Sequence, residues 1–183
     1  MTTQSFNMYK YLLSVFAFFA LMSFALLPAG NDEDEYINFS IKNAGVTVSG
    51  AFESWKKDVS IKDDDLNNAT FNGVIEVKSI NTGIGKRDRD LMKKSYFHED
   101  AYPKIAFKSN TIKKSSDNTY RVEGDLVIRN NKKSVTLVLE KETEGGKPYY
   151  TTSIELNRRD FDVGGRSLML SDDLTAKIRV SAD

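Results

Sequence analysis

Apolar and polar side chains alternate with a period of two along most of the chain after residue 35, the pattern of strands with one buried and one wet face. "YINFSIK" places Ile37, Phe39 and Ile41 on one face, and "GVTVSGAF" follows after a turn at Asn43 to Gly45. "ATFNGVIEVKSI" aligns Ala69, Phe71, Gly73, Ile75 and Val77, with Asn72, Glu76 and Lys78 opposite. "KIAFKSNTIK" is shorter, carrying Ile105 and Phe107. "TYRVEGDLVIR" is the cleanest, with Tyr120, Val122, Gly124, Leu126 and Ile128 inward and Arg121, Glu123, Asp125 and Arg129 outward. "SVTLVLEK" gives Val135, Leu137 and Leu139, "YYTTSIELNR" gives Tyr150, Thr152, Ile154 and Leu156, and "DDLTAKIRV" closes with Leu174, Ala176, Ile178 and Val180. Turn-rich pieces such as "SSDN", "RNNKK", "EGGKP" and "VGGRS" separate them. The pattern predicts an all-β domain of about eight antiparallel strands, closed on itself or packed in two layers. Eight tilted strands enclose an interior that side chains can fill or that holds one slim ligand.

One segment breaks the alternation. "GKRDRDLMKKSYFHEDAYPKIAFKS", Gly85 to Ser109, predicts a short amphipathic helix from Lys86 to about Phe97, with Asp88, Leu91, Met92, Ser95 and Tyr96 on one side. Asp90 and Lys94 are spaced as a helix-supporting acid–base pair. Pro103 biases the residue before it to extended structure, so the helix stops earlier. A short helix between two strands of such a barrel has to lie across an edge or an open end.

The first thirty residues stand apart. Tyr11 to Leu27, "YLLSVFAFFALMSFALL", has no charge, follows Lys10 and precedes "PAGNDEDE". This reads as a secretory signal peptide over residues 1–30, the alternative being an uncleaved N-terminal anchor at 11–27. The expected location is therefore periplasmic or secreted, or membrane-tethered in the alternative. Residues 31–183 form the domain. The first thirty residues hold one lysine and no acid, which leaves the rest of a neutral chain at a formal charge of −1. That balance gives no electrostatic reason to expect nucleic acid. With no cysteine in the chain, disulfides and thiolate metal sites are excluded.

Candidate chemistry is sparse. His98 is the sole histidine and no Gly-X-Ser-X-Gly elbow exists, so the catalytic-triad reading lacks its parts. "KDDDLNN", Lys62 to Asn68, begins like a calcium loop, but Asn68 and Val74 occupy the positions that require glycine and glutamate, leaving a solvated turn. "RDRD" allows Arg87 or Arg89 to fork onto an anionic group, or to pair with Asp88, Asp90 or Glu99. The reading is of a non-enzymatic protein with no metal and no cofactor.

Several stretches, in order, resemble the YceI-like family: "SINTGIGKRDRDLMKKSYFHEDAYPKIAFKS" its central signature, "GDLVIRNNKKSVTLVLE" its next hairpin, and "NRRDFDVGG…LSDDLTAKIRV" its close. The opening "INFSIKNAGVTVSGAFESW" fits its start, although Asn43 replaces a usual histidine. The resemblance implies an extended lipocalin-like barrel, exported, with a long isoprenoid or similar lipid inside. On that footing the expected lining is Phe39, Phe71, Ile75, Val77, Phe107, Leu126 and Ile128. The closing helix adds Leu91, Met92 and Tyr96, and Arg87 or Arg89 meets the head group. The expected partner is a long-chain lipid of isoprenoid or fatty-acyl type, with membrane contact either transient or through an uncleaved leader. The sequence leaves oligomeric state open, a homodimer included. The rival reading is an envelope or stress-related barrel with a filled core that acts by binding protein partners.

Overall fold

The structure, a computed structural model, describes residues 34–182. The apolar stretch 11–27, and with it the choice between signal peptide and anchor, lies outside the described residues. The strands are β1 (Tyr36–Asn43), β2 (Val46–Phe52), β3 (Trp55–Ser60), β4 (Thr70–Glu76), β5 (Ile80–Asn81), β6 (Lys104–Ser116), β7 (Thr119–Ile128), β8 (Asn131–Glu144), β9 (Lys147–Asn157) and β10 (Leu170–Ser181). The helix α1 spans Gly85–Met92.

Ten strands form one antiparallel sheet in the order β3-β4-β6-β7-β8-β9-β10-β1-β2-β5, two more than the alternation predicted. The difference has a physical origin. β2 and β3 are one extended run that bends at Glu53–Ser54, and β4 and β5 are a second run interrupted by the 3-10 turn Val77–Ser79. The two breaks lie side by side, for the Glu53 N–H donates to the Ser79 carbonyl at 3.1 Å and the Glu76 N–H donates to the Ser54 carbonyl at 3.0 Å. The bent runs therefore pair with each other both below the break, Trp55 opposite Ile75, and above it, Phe52 opposite Ile80. One bent run also pairs with β1 and the other with β6, so the hydrogen bonding runs round a closed ring and leaves no long free edge. β3 escaped prediction because "WKKDVS" offers only Trp55 and Val59 as apolar residues.

α1 is shorter than predicted. Lys93 turns extended at φ −65°, ψ 161°. The chain then folds back, with the Phe97 N–H donating to Leu91 and the Glu99 N–H to Met92, each at 3.0 Å, and His98 in the left-handed region at φ 54°. Asp90 pairs with Lys86 and Lys93 rather than with Lys94.

The interior falls into two buried clusters. The first packs Tyr120, Val122, Leu139, Tyr150, Val59 and Phe71, among others. The Tyr120 hydroxyl donates to Asp63, so the "KDDDLNN" turn is not merely solvated: Asp63, which also accepts from Lys114 at 2.9 Å, is fixed to the barrel. Burial, then the hydrogen bond to Asp63, raises the Tyr120 pKa well above the ordinary phenol. The second cluster holds Phe52, Val77, Ile80 and Ile105, with Phe39, Leu91, Met92 and Phe97 against it.

Two inward glycines set how the large rings lie. A Cβ at Gly50 would stand 2.5 Å from Phe39 Cζ, and one at Gly124 would stand 2.5 Å from Phe107 Cζ and from the Lys108 carbonyl. Each ring lies against bare backbone.

At the start of β1, Lys57 donates to Glu35 and to the Ser181 carbonyl at 2.9 Å, while the Ser181 N–H donates to Glu35 at 2.9 Å. Burial alone would raise the Glu35 pKa, but the hydrogen bonds from Lys57 and Ser181 outweigh it and hold the carboxyl below its usual value.

Gly124→Ala should destabilise the fold by about 1–3 kcal/mol, the usual cost of overpacking, as read from denaturant midpoints. Glu35, with its folded pKa depressed, contributes stability that is present above the ordinary value of 4.5 and is lost as pH falls through the folded pKa. Glu35→Gln should accordingly be less stable than the parent at neutral pH, and the gap should close in acid. An undiminished gap there would contradict the assignment.

Candidate functional site: a cavity open at one end

Between and above the clusters the barrel encloses a cavity of about 630 Å³. Val59, Phe71, Leu137 and Val180 rise into it from the first cluster and form its floor. Phe39, Ile75, Phe107, Leu126, Ile154 and Ile178 line the walls. β1 climbs from Tyr36, opposite Arg179 near the floor, to Asn43, which pairs with both Val46 and Leu170 at the other end. That end is the mouth, bordered by Thr82 to Asp90 on one side and by Ser167 to Leu170 on the other. The segment after α1 covers part of it, with Tyr96 reaching Gly164 and the Arg129 guanidinium lying 5.6 Å over the Tyr102 ring.

Phe39, Phe71, Ile75, Leu91, Tyr96, Phe107, Leu126, Ile128 and Arg87 from the sequence-based set all line this space. Three members of that set do not. Val77 is buried within the second cluster because the 3-10 turn breaks the alternation at that residue. Met92 packs among the same residues, and Arg89 is exposed on α1. The periodic reading had already put Ile154, Leu156, Leu174, Ala176 and Ile178 on inward faces, and all of them line the cavity. Ile84, Met169 and Leu170 at the mouth follow no period and left no such signal.

Gly73 gives the cavity width. It lies on the inward face between Phe71 and Ile75, and a Cβ there would meet only the Lys56 carbonyl, at 3.8 Å. The space beside it is unfilled.

Thr82, Arg87, Asp90 and Arg158 bring polar groups to the mouth, while Lys57 reaches the lining from the floor. Arg87 pairs with none of the acids weighed for it. Its Nε donates to the Thr82 hydroxyl at 2.8 Å and its Nη2 to the Thr82 carbonyl at 2.7 Å. Asp88 accepts from the Thr82 N–H at 3.0 Å and from the Thr82 hydroxyl. Thr82 thus stands between the two charges, and Arg87 keeps donors for a group entering the mouth.

Arg158, by contrast, is a buried tie. It donates to the carbonyls of Ser171, Val163 and Gly165 at 2.8, 2.9 and 3.0 Å, and to the Asp172 carboxylate. Gly164, at φ 73°, is needed beside it, since a Cβ would lie 2.9 Å from Arg158 Nη1 and 3.0 Å from the Tyr96 ring. His98 does not line the cavity; it packs edge-on against Tyr102.

The YceI-like domain model matches residues 31–182. The chain belongs to the YceI-like family. Among its relatives, a UPF0312 protein of Yersinia pestis is 32% identical over 137 residues, covering 70% of each chain. A UPF0312 protein of Photorhabdus laumondii is 28% identical over 143 residues, covering 72% of this chain and 74% of its own. The fold matches that of Burkholderia cenocepacia BcnA with a TM-score of 0.75 at 22% identity, over 81% of this chain and 96% of BcnA. It also matches a polyisoprenoid binding domain from Saccharophagus degradans with a TM-score of 0.64 at 15% identity, over 79% and 91% of the two chains. At such identities these structures establish the YceI-like barrel alone. In the motif "RRDF" of this YceI-like chain, Arg158 is the scaffold of the mouth loop.

Replacing Arg158 by Met strands several carbonyls and removes a charge-assisted bond, so it should cost more than about 2 kcal/mol. Amide exchange across 163–170 should accelerate ahead of the strands; uniform exchange would show that Arg158 does not organise this loop.

Proposed function

We propose that this YceI-like barrel is a binding protein that captures one long-chain amphiphile, of isoprenoid or fatty-acyl type, tail down in its cavity. The observation that carries this reading is the cavity itself: about 630 Å³, walled by aliphatic and aromatic side chains, open at one end, with Arg87 at that opening. Ligand cavities fall at roughly 300–1,000 Å³, whereas a filled core leaves few voids larger than a water molecule. This favours cargo over the rival of a filled barrel that acts only through its surface. The polyisoprenoid binding domain with the same fold supports the same ligand class.

The energetics suffice. Each methylene moved from water to the cavity contributes roughly 0.8 kcal/mol, so ten contribute about 8 kcal/mol before ordering costs. Phe71 and the floor residues would meet the tail end, and the Arg87 guanidinium the head group. The chemistry is capture and release with no bond made or broken, and no cofactor enters it. Export behind residues 1–30, to the periplasm or outside, is part of the proposal, with tethering by 11–27 as its alternative.

Gly73→Leu tests the reading, because it fills the cavity from a position with space for a side chain. Native mass spectrometry of the parent, purified gently from envelope material, should show a discrete mass excess released by organic solvent as one lipid species. Gly73→Leu should lose that excess while its denaturant midpoint holds. Equal loading of parent and variant, or a parent that stays apo when lipids are offered, would overturn it. Arg87→Gln should weaken retention of an anionic amphiphile by about ten-fold relative to a neutral one of equal tail, the scale of one charge-assisted hydrogen bond.

A further inference from the structure

Among the described residues, the large apolar side chains left strongly exposed are Val46, Ile84, Val138, Leu168 and Met169. Val138 sits alone on the outer wall, opposite Arg121. The other four gather at the mouth. Val46 continues the inward face of β2, beyond Val48, and is 66% exposed because β1 ends opposite it. The β1–β2 turn is fixed to the loop before β10, the Ala44 N–H donating to the Met169 carbonyl at 2.7 Å. This brings Val46 beside Met169, 65% exposed, and Leu168, fully exposed. Ile84 follows β5, which pairs with β2, the strand that carries Val46, and both Ile84 and Met169 belong to the cavity lining. The apolar interior thus continues outward over the rim.

Basic side chains without an acidic partner stand on the segments that form this rim. Lys42, Arg89 and Arg166 are exposed and have no acidic partner among the described residues. Of the acids nearby, Asp90 is paired with Lys86 and Lys93 and Asp172 with Arg158, Asp88 is hydrogen-bonded to the neutral Thr82, and Glu99 and Asp100 stand in the segment that covers part of the mouth. The domain as a whole is close to neutral, so the basic rim is a local feature.

Resting on the lipid-carrier reading, we propose that the mouth docks on an anionic lipid bilayer, with Leu168, Met169, Val46 and Ile84 entering the interface and the basic rim meeting lipid phosphates. A basic rim around an apolar tip is the pattern that binds such surfaces, and each Lys or Arg near the surface strengthens binding about five-fold. The cavity then opens directly into the phase that holds the amphiphile, and a tail can pass between bilayer and barrel without crossing water.

The chain has no cysteine, so one introduced thiol reports one position. Full-length Leu168→Cys and Val138→Cys, each labelled with nitrobenzoxadiazole, would be titrated with vesicles of phosphatidylcholine containing phosphatidylglycerol. Anything residues 11–27 add to vesicle affinity is common to both. The label at position 168 should shift to the blue and brighten, that at 138 should not, and Arg166→Gln should raise the half-saturating vesicle concentration about five-fold. The response at 168 should persist when Gly73→Leu fills the cavity. A silent label at 168, equal responses at both positions, or a response lost with Gly73→Leu would overturn docking. Mass spectrometry of cavity lipid reads capture separately, so either idea can fail alone.

Discussion

The pairing of the two bent strands with each other is the constraint on which the rest of this molecule depends. β2–β3 and β4–β5 break at the same level, and the backbone bonds between Glu53 and Ser79 and between Ser54 and Glu76 carry the ladder across the break. Without that crossing the sheet would have two free edges, and its apolar face would have to find cover elsewhere. With it, the inward faces see only one another. The break also rotates the chain, which withdraws Val77 from the lining and aims the chain after β5 into α1 and the cover over the mouth.

Closure alone would permit a filled barrel. Glycine positions decide otherwise. Gly50 and Gly124 let the Phe39 and Phe107 rings lie against the wall, leaving the axis clear, and Gly73 leaves a gap that no neighbour fills. Glycine in a strand interior weakens it, and its presence often marks a close approach of another group. Here the groups approaching are the barrel's own aromatic rings in two cases and open space in the third. The cost in strand stability is offset by the sealed floor, where the tyrosines, Asp63 and the Glu35–Lys57–Ser181 bonds sit.

How much of this was legible in the sequence follows from which signals are periodic. Alternation in "TYRVEGDLVIR" and "DDLTAKIRV" identified inward residues, of which Leu126, Ile128, Leu174, Ala176 and Ile178 line the cavity while Tyr120 and Val122 pack in the first cluster, because a strand's two faces are fixed by its pleat. β3 was not legible, since an inward lysine, Lys57, interrupts its apolar face to reach Glu35 and Ser181 across the barrel's lower seam. The helix was overextended because its apolar pattern continues into turns held by backbone bonds to Leu91 and Met92, which side-chain spacing does not encode. Arg87 and Arg89 look alike as text; only the fold makes one a lining residue of the cavity and leaves the other exposed on α1. The hollow interior was not legible either, since an aromatic residue reads the same against a neighbour as against a void.

β1 starts and β10 finishes at the floor, with Tyr36 opposite Arg179 and Ser181 bonded to Glu35. Both ends of the folded domain therefore leave from the side opposite the opening. A tag, a linker or a solid support joined through either end would grip the barrel by its base and present its mouth to solution. The barrel can thus serve as an upright receptacle in an array or a sensor without any alteration to its strands.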